Sequence, residues 1–393
     1  MKAQEVFDTY KEHILPTYTK FPLIFVKGKG SCLWDVHGRK YLDFFPGWGV
    51  GSLGHCHPKV MAAVRDQVSK LIFVANNYYN LPQAKLAKEL NFWAGSNYKV
   101  FFCNSGAEAN EGAIKLSRKF GQGRYEIITF LDSFHGRTLA TLTATGQPKY
   151  QEGFSPLPAG FKTVKFNDLN AVKNALSDKT VAIMLELIQG EGGINIAGRD
   201  FVLGLRKICD ENNLLLIVDE VQTGIARTGK MFAWQNFGVT ADIFTLAKAL
   251  GGGLPIGAMM AKKEIADLLG PGMHASTFGG GPVICKAALA VLKAIQKEKL
   301  FTNTEKMGEY LEAKLNELKD KYPIIKEVRG MGLMWGVELN KEGKPIVEEC
   351  IKKGLLINCM HEKVLRLMPA LNITKKEIDL AVKILDNVLR DAN

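Results

Sequence analysis

Leu214-Leu215-Leu216-Ile217-Val218-Asp219-Glu220-Val221-Gln222-Thr223-Gly224 is the stretch whose reading decides the fold. Residues 214–218 are apolar without interruption, and the run ends on an acid. A short run that is apolar at every position, not at alternate ones, reads as a strand buried on both faces of a parallel sheet. Similar runs stand at Val100–Cys103, Glu126–Phe130, Val181–Glu186 and Ile243–Ala247. Segments with helical periodicity lie around and between them, at Pro58–Leu71, Pro82–Trp93, Glu108–Phe120 and Asp200–Asn212. Strands alternating with helices over about two hundred residues predict an α/β layered domain with a mostly parallel central sheet.

The two ends of the chain differ from this middle. Short strands separated by glycines are expected at Leu23–Val26, Cys32–Trp34 and Tyr41–Phe44. Beyond Gly281, helices are expected at Pro282–Lys297, Thr304–Lys321, Val347–Lys353 and Lys375–Arg390, with strands at Ile325–Arg329 and Leu333–Glu338. The expected division is therefore an N-terminal segment 1–52, a large domain 53–281 and a C-terminal part 282–393. The first and last together would form a smaller α+β domain.

Composition narrows the function classes. Of 393 residues, 47% are hydrophobic and 23% charged, which suits a packed protein and excludes a disordered one. The seven cysteines (Cys32, Cys56, Cys103, Cys209, Cys285, Cys350, Cys359) form no C-x-x-C pair and are odd in number. That predicts reduced thiols in a cytoplasm. Residues up to Tyr18 are charged throughout and hold no apolar signal core, and no long apolar run predicts a membrane span. The net charge of +11 is scattered, which suits steering of anionic small molecules better than nucleic-acid binding.

Three strand ends carry chemistry. Asn104-Ser105-Gly106-Ala107-Glu108-Ala109-Asn110 joins a strand to a helix through small residues. Unpaired N–H groups at such a helix start bind phosphate, and a plain N-cap at Ser105 is the competing reading. Asp219 ends an apolar strand at the edge where α/β sheets bind ligands, and a carboxylate there suits a cationic partner. Lys248 follows the strand Ile243–Ala247 and precedes Gly251-Gly252-Gly253. A desolvated amine at that place is fit for Schiff-base chemistry. A phosphate turn, an acid and a lysine at neighbouring strand ends are together the parts that pyridoxal phosphate needs.

On these residues the sequence resembles the class III aminotransferases of the pyridoxal-phosphate fold type I. The resemblance runs through Gly54-His55-Cys56-His57-Pro58, Asn104–Asn110, Ser133–Thr138, Ile188–Gly193, Asp219–Gln222, Lys248 and Ser276–Gly280. It implies that Lys248 holds the cofactor and shuttles a proton, and that Asp219 pairs with the ring nitrogen. It further implies that Phe134 and Val221 pack on the ring, that Gln222 bonds the ring's phenolic oxygen, and that Ser105, Gly106 and Ala107 bind the phosphate. Thr277 would reach the phosphate of a neighbouring subunit with Ser276 near the substrate, which implies a homodimer. Arg137 would bind one substrate carboxylate and Arg366 the α-carboxylate of 2-oxoglutarate. Glu186 would mask Arg366 while the amine donor is bound, and Tyr18 would line the substrate pocket.

The resemblance is closest to the acetylornithine-using branch. It implies transfer of an amino group from N2-acetyl-L-ornithine to 2-oxoglutarate, as in arginine biosynthesis. Ornithine, 4-aminobutyrate and N-succinyl-diaminopimelate are the alternative donors. Four positions depart from the family pattern: Ala107, Leu187, Ala226 and Trp48, the last beside the distal part of the substrate. No metal is expected, and His55-Cys56-His57 reads as a structural turn. Gly330–Gly336 reads as a hairpin, not a dinucleotide loop.

Overall fold

A computed structural model describes residues 2–392. Its strands are, in chain order, β1 (Phe25–Lys29), β2 (Cys32–Asp35), β3 (Lys40–Asp43), β4 (Tyr98–Cys103), β5 (Glu126–Phe130), β6 (Phe161–Val164), β7 (Thr180–Leu185), β8 (Ile188–Gln189) and β9 (Asn195–Ile196). They continue with β10 (Leu215–Asp219), β11 (Ile243–Leu246), β12 (Gly257–Lys262), β13 (Ile325–Met331), β14 (Met334–Leu339), β15 (Leu355–Leu356), β16 (Asn358–Met360) and β17 (Val364–Leu367). The first four helices are α1 (Ala3–His13), α2 (Pro58–Val68), α3 (Leu81–Trp93) and α4 (Gly106–Gly121).

The central sheet has seven strands in the order β4-β12-β11-β10-β7-β5-β6. All its pairings are parallel except those of β12, which runs antiparallel to both β11 and β4. Every residue of β7, β10 and β11 is buried, as continuous apolar runs require of strands covered on both faces. Because β4, β10 and β11 run the same way, their C-terminal ends reach one edge of the sheet. That edge is where the chain places Ser105, Asp219 and Lys248.

The N-terminal strands form a sheet β1-β2-β3-β15, in which Leu42 pairs with Leu355. Both ends of the chain thus share one sheet. A second antiparallel sheet, β13-β14-β17-β16, sets Arg366 on an inner strand between Gly336 and Asn358. The hairpin expected at Gly330–Gly336 is the β13–β14 turn. The helix Pro282–Lys297 packs so closely on the Lys248 turn that a Cβ on Gly252 would lie 2.8 Å from Val291.

The structure also holds elements that the sequence reading lacks. Helix α1 buries no residue, so its apolar pattern carries no core signal. Strand β12, Gly-Ala-Met-Met-Ala-Lys, holds no β-branched or aromatic residue and is made a strand by its two neighbours.

Candidate active site

The ends of β4, β10 and β11 surround a cavity of about 250 Å³. Nine expected site residues line it: Gly106, Ala107, Phe134, Arg137, Glu186, Asp219, Val221, Gln222 and Lys248. Asn110, His135, Gly136 and Glu191 line it as well and were not assigned from sequence.

Asp219 is buried and fixed from three sides. Its Oδ2 accepts from Asn110 Nδ2 at 2.8 Å and lies 2.8 Å from His135 Nδ1. Its Oδ1 accepts from the Val221 N–H at 3.0 Å. Asn110 is itself held, since its Oδ1 accepts from Thr245 Oγ1 at 2.7 Å and its amide also donates to the His135 carbonyl. A carboxylate only accepts, so His135 carries the proton on Nδ1 in this contact. His135 Nε2 is buried and makes no hydrogen bond.

Lys248 opens a short 3₁₀ turn directly after β11 and adopts a left-handed φ of 41°. Burial disfavours its charged form and lowers its pKa, against the pull of Glu191 and Asp219. Its amine makes no hydrogen bond among the described residues.

In the turn before α4, Ser105 caps the helix, and its hydroxyl proton can still be donated to an anion. Ser105 Oγ accepts from the Glu108 N–H at 3.2 Å and is the N-cap; the residue does not line the cavity. Gly106 and Ala107 do. A Cβ on Gly106 would lie 2.8 Å from Val221 Cγ1, so glycine lets the α4 start and the β10 loop close on one another.

One expectation is corrected. Glu186 does not pair with Arg366. Its two carboxylate oxygens accept from the N–H groups of Phe134 (2.7 Å) and Gly190 (2.8 Å), which occupies it as a buried loop anchor. Burial raises its pKa to about 7. Arg366 instead pairs with Glu191, Nη1 to Oε1 at 2.5 Å. The same nitrogen donates to the Gly190 carbonyl and to Gln222 Oε1, and Nε donates to Asn358 Oδ1. Burial pushes the Glu191 carboxyl up, but Arg366 and Lys248 outweigh it and hold the group below the usual range. Both glutamates stand in the motif around Ile188–Gly193, and five residues of spacing decide which one faces the arginine.

Of the remaining expected residues, Arg137 stands at the cavity wall and the others lie farther out. Arg137 sits 3.9 Å from the Tyr150 ring centroid and has no carboxylate partner among the described residues. The Phe45 ring lies 4.6 Å from the Arg366 guanidinium, and Trp48 packs edge-on against Phe45. Trp48 therefore reaches the site through Phe45 and lines a separate groove. Ser276 Oγ accepts from Asn104 Nδ2 at 3.2 Å, while Thr277 and Tyr18 are exposed and line no part of the cavity. His55 meets Asp43 and His57 meets Glu298, and among the described residues no cluster suits a metal.

Residues 14–389 match the family Aminotransferase class-III. The chain belongs to the class-III aminotransferases. An acetylornithine aminotransferase of Methanocaldococcus jannaschii is 50% identical, covering 100% of this chain and 99% of that one. The corresponding protein of Caldanaerobacter subterraneus is 51% identical over 97% and 98% of the two chains. Among solved structures, the ornithine aminotransferase of Toxoplasma gondii superposes with a TM-score of 0.96 at 32% identity, covering 100% and 96%. The acetylornithine aminotransferase of Elizabethkingia anophelis superposes at 0.89, also with 32% identity and full coverage of both chains. The cavity of this class-III aminotransferase is lined by an unpartnered amine (Lys248), a fixed carboxylate (Asp219) and a glutamate (Glu191) that pairs with the buried Arg366.

Proposed function

We infer that this class-III aminotransferase moves the amino group of N2-acetyl-L-ornithine to 2-oxoglutarate, giving N-acetyl-L-glutamate 5-semialdehyde and L-glutamate. One observation carries the reading. Lys248, Asp219 and Glu191 line one cavity, with Arg366 buried behind Glu191 as its ion-pair partner, and the choice of donor follows the names of relatives 50% and 51% identical over nearly the whole chain.

The residues present fit pyridoxal phosphate. Gly106 and Ala107 leave room at a helix N-terminus, where backbone N–H groups suit a phosphate. Asp219 offers a carboxylate already oriented by Asn110, His135 and Val221, as a protonated ring nitrogen requires. Phe134 and Val221 supply apolar walls for the ring, Gln222 a hydrogen-bonding amide, and Lys248 the amine that would hold it. When bound, pyridoxal phosphate supplies an aldehyde that takes up the amino group and a ring that accepts the electron pair left by proton removal.

The protein's own residues do the rest. Lys248, with its pKa lowered by burial, has a neutral fraction that can take a proton from the carbon that bears the reacting amine, Cδ of acetylornithine or Cα of glutamate, and return it nearby. Such a positioned base contributes on the order of 10²–10⁴ in rate. Arg137 is free to bind the donor's carboxylate. With an ω-amine donor, Glu191 keeps Arg366 neutralised. With 2-oxoglutarate, the α-carboxylate takes the place of Glu191, whose single contact is at Nη1, and pairs with the guanidinium in bidentate fashion.

The same reading makes the active unit a homodimer in the cytoplasm. Ile72, Tyr79, Leu81 and Phe278 form an exposed apolar surface beside Thr277, which supports a partner subunit there. Seven unpaired cysteines support a reducing compartment. The division at residues 52/53 and 281/282 is supported by the separate sheets. A panel of amines on purified enzyme tests the donor. Acetylornithine should exceed ornithine, 4-aminobutyrate and N-succinyl-diaminopimelate in kcat/KM, and parity with 4-aminobutyrate would refute the assignment.

A further inference from the structure

Arg227 is among the largest fully buried side chains of the molecule, and no carboxylate answers it among the described residues. Burial alone lowers its pKa, to about 9. A guanidinium left uncompensated is costly to bury, so its geometry needs a reason. Its donors go to three separate segments. Nη1 donates to the Leu333 carbonyl (2.9 Å) in the β13–β14 turn and to the Pro369 carbonyl (2.5 Å) just past β17. Nη2 donates to Ser52 Oγ (3.1 Å), at the end of the loop that carries Trp48.

The backbone around Arg227 is equally committed. Ile225 and Ala226 both hold a left-handed φ, 57° and 69°, which a β-branched residue rarely adopts. Both of their N–H groups point at the Met231 carbonyl, which fixes the turn. The Arg227 carbonyl accepts from the Leu333 N–H, and a Cβ on Gly332 would come within 2.5 Å of that carbonyl. At the other end of the same loop, Gln222 Oε1 accepts from Arg366 Nη1. The loop 222–227 therefore grips the Arg366 run twice: at the guanidinium through Gln222, and three residues on, at Pro369, through Arg227. Ser52 closes the circuit, because its carbonyl accepts from the Leu371 N–H.

We propose that Arg227 is a positioning residue for Arg366, holding the strand that presents the keto-acid carboxylate site at a fixed offset from the Asp219–Gln222 edge of the cavity. The proposal rests on the functional reading given above. Lysine cannot replace it, since one ammonium cannot span acceptors that a planar fork reaches in three directions. The two half-reactions should thus respond unequally to its loss, because only the second uses Arg366 for substrate.

The test follows the donor and keto-acid half-reactions separately by the cofactor's absorbance, in wild type, Arg227→Lys and Ser52→Ala. Binding of glutarate, an unreactive dicarboxylate, is measured by calorimetry alongside. Arg227→Lys should lower the efficiency of the 2-oxoglutarate half-reaction about tenfold and weaken glutarate by a similar factor, with the donor half-reaction within about twofold. Ser52→Ala should shift the same quantities the same way, by about threefold. If Arg227→Lys does not fold, Ser52→Ala decides alone. Equal loss in both half-reactions, or unchanged glutarate binding, overturns the proposal and leaves Arg227 a purely structural residue. A wild type that does not react with 2-oxoglutarate would instead overturn the functional reading.

Discussion

Arg366 Nη1 and Glu191 Oε1 stand 2.5 Å apart, and the arginine side chain is fully buried while the glutamate keeps 19% of its surface exposed. Arg366 is held by Gly190, Gln222, Asn358 and the Phe45 ring, whereas Arg366 is the only cation within ion-pair distance of Glu191 among the described residues. Glu191 is therefore the partner able to swing away. Glu191→Gln should shift preference toward donors that present an α-carboxylate to Arg366. The kcat/KM ratio of L-glutamate to acetylornithine should rise about tenfold, the equivalent of one lost charge-assisted contact. An unchanged ratio would mean that Glu191 does not gate the arginine.

Arg366→Ala separates the two half-reactions. Losing a bidentate guanidinium should slow the 2-oxoglutarate half-reaction about 10²-fold. The donor half-reaction should change by less than about fivefold. Rapid-mixing spectra of each half-reaction read both numbers, and equal losses would contradict the assignment.

Asp219→Asn changes a carboxylate that three groups already orient. The new amide would turn a donor toward Asn110 Nδ2 or His135, and it could no longer keep a ring nitrogen protonated. Both half-reactions should fall by roughly 10²–10⁴, the scale of acid–base assistance, with the fold intact by circular dichroism. Activity within twofold of wild type would remove Asp219 from the chemistry.

Two buried acids set a pH dependence of stability. Burial raises both Glu186 and Glu220 to about 7, above their ordinary value of 4.5. A raised acid holds its proton more tightly folded than unfolded. Its contribution is then complete below about 4.5 and is lost as pH rises through about 7. Glu220 accepts from Thr223 Oγ1 and the Trp234 N–H, contacts that glutamine can keep in part. Urea unfolding of Glu220→Gln at pH 5 and pH 8 should show a smaller stability loss across that interval than wild type. An identical loss would show that Glu220 stays ionised when folded.

Much of this was legible in sequence because β7, β10 and β11 are buried on both faces, and uninterrupted apolar runs have few other uses. Asp219 and Lys248 were readable because each closes such a run. What escaped was decided by tertiary partners. β12 is a strand only through β4 and β11. His135 and Asn110 became visible once their contacts with Asp219 were known, since neither spacing nor periodicity links positions so far apart. Glu186 and Glu191 share one motif, and only the geometry of the Gly190 turn turns Glu191 toward Arg366 and Glu186 toward backbone N–H groups. Ser105 alone reads more readily as a cap than as an anion ligand, and its bond to Glu108 is that cap, a contact that leaves its O–H able to donate.

The central claim is that the Lys248 amine is the group that engages the cofactor. Reduction of the purified enzyme, loaded with pyridoxal phosphate, by borohydride and subsequent peptide mapping tests it most directly. The account predicts one stable pyridoxyl label, on the peptide that contains Lys248. A label on another lysine, or none, would contradict it.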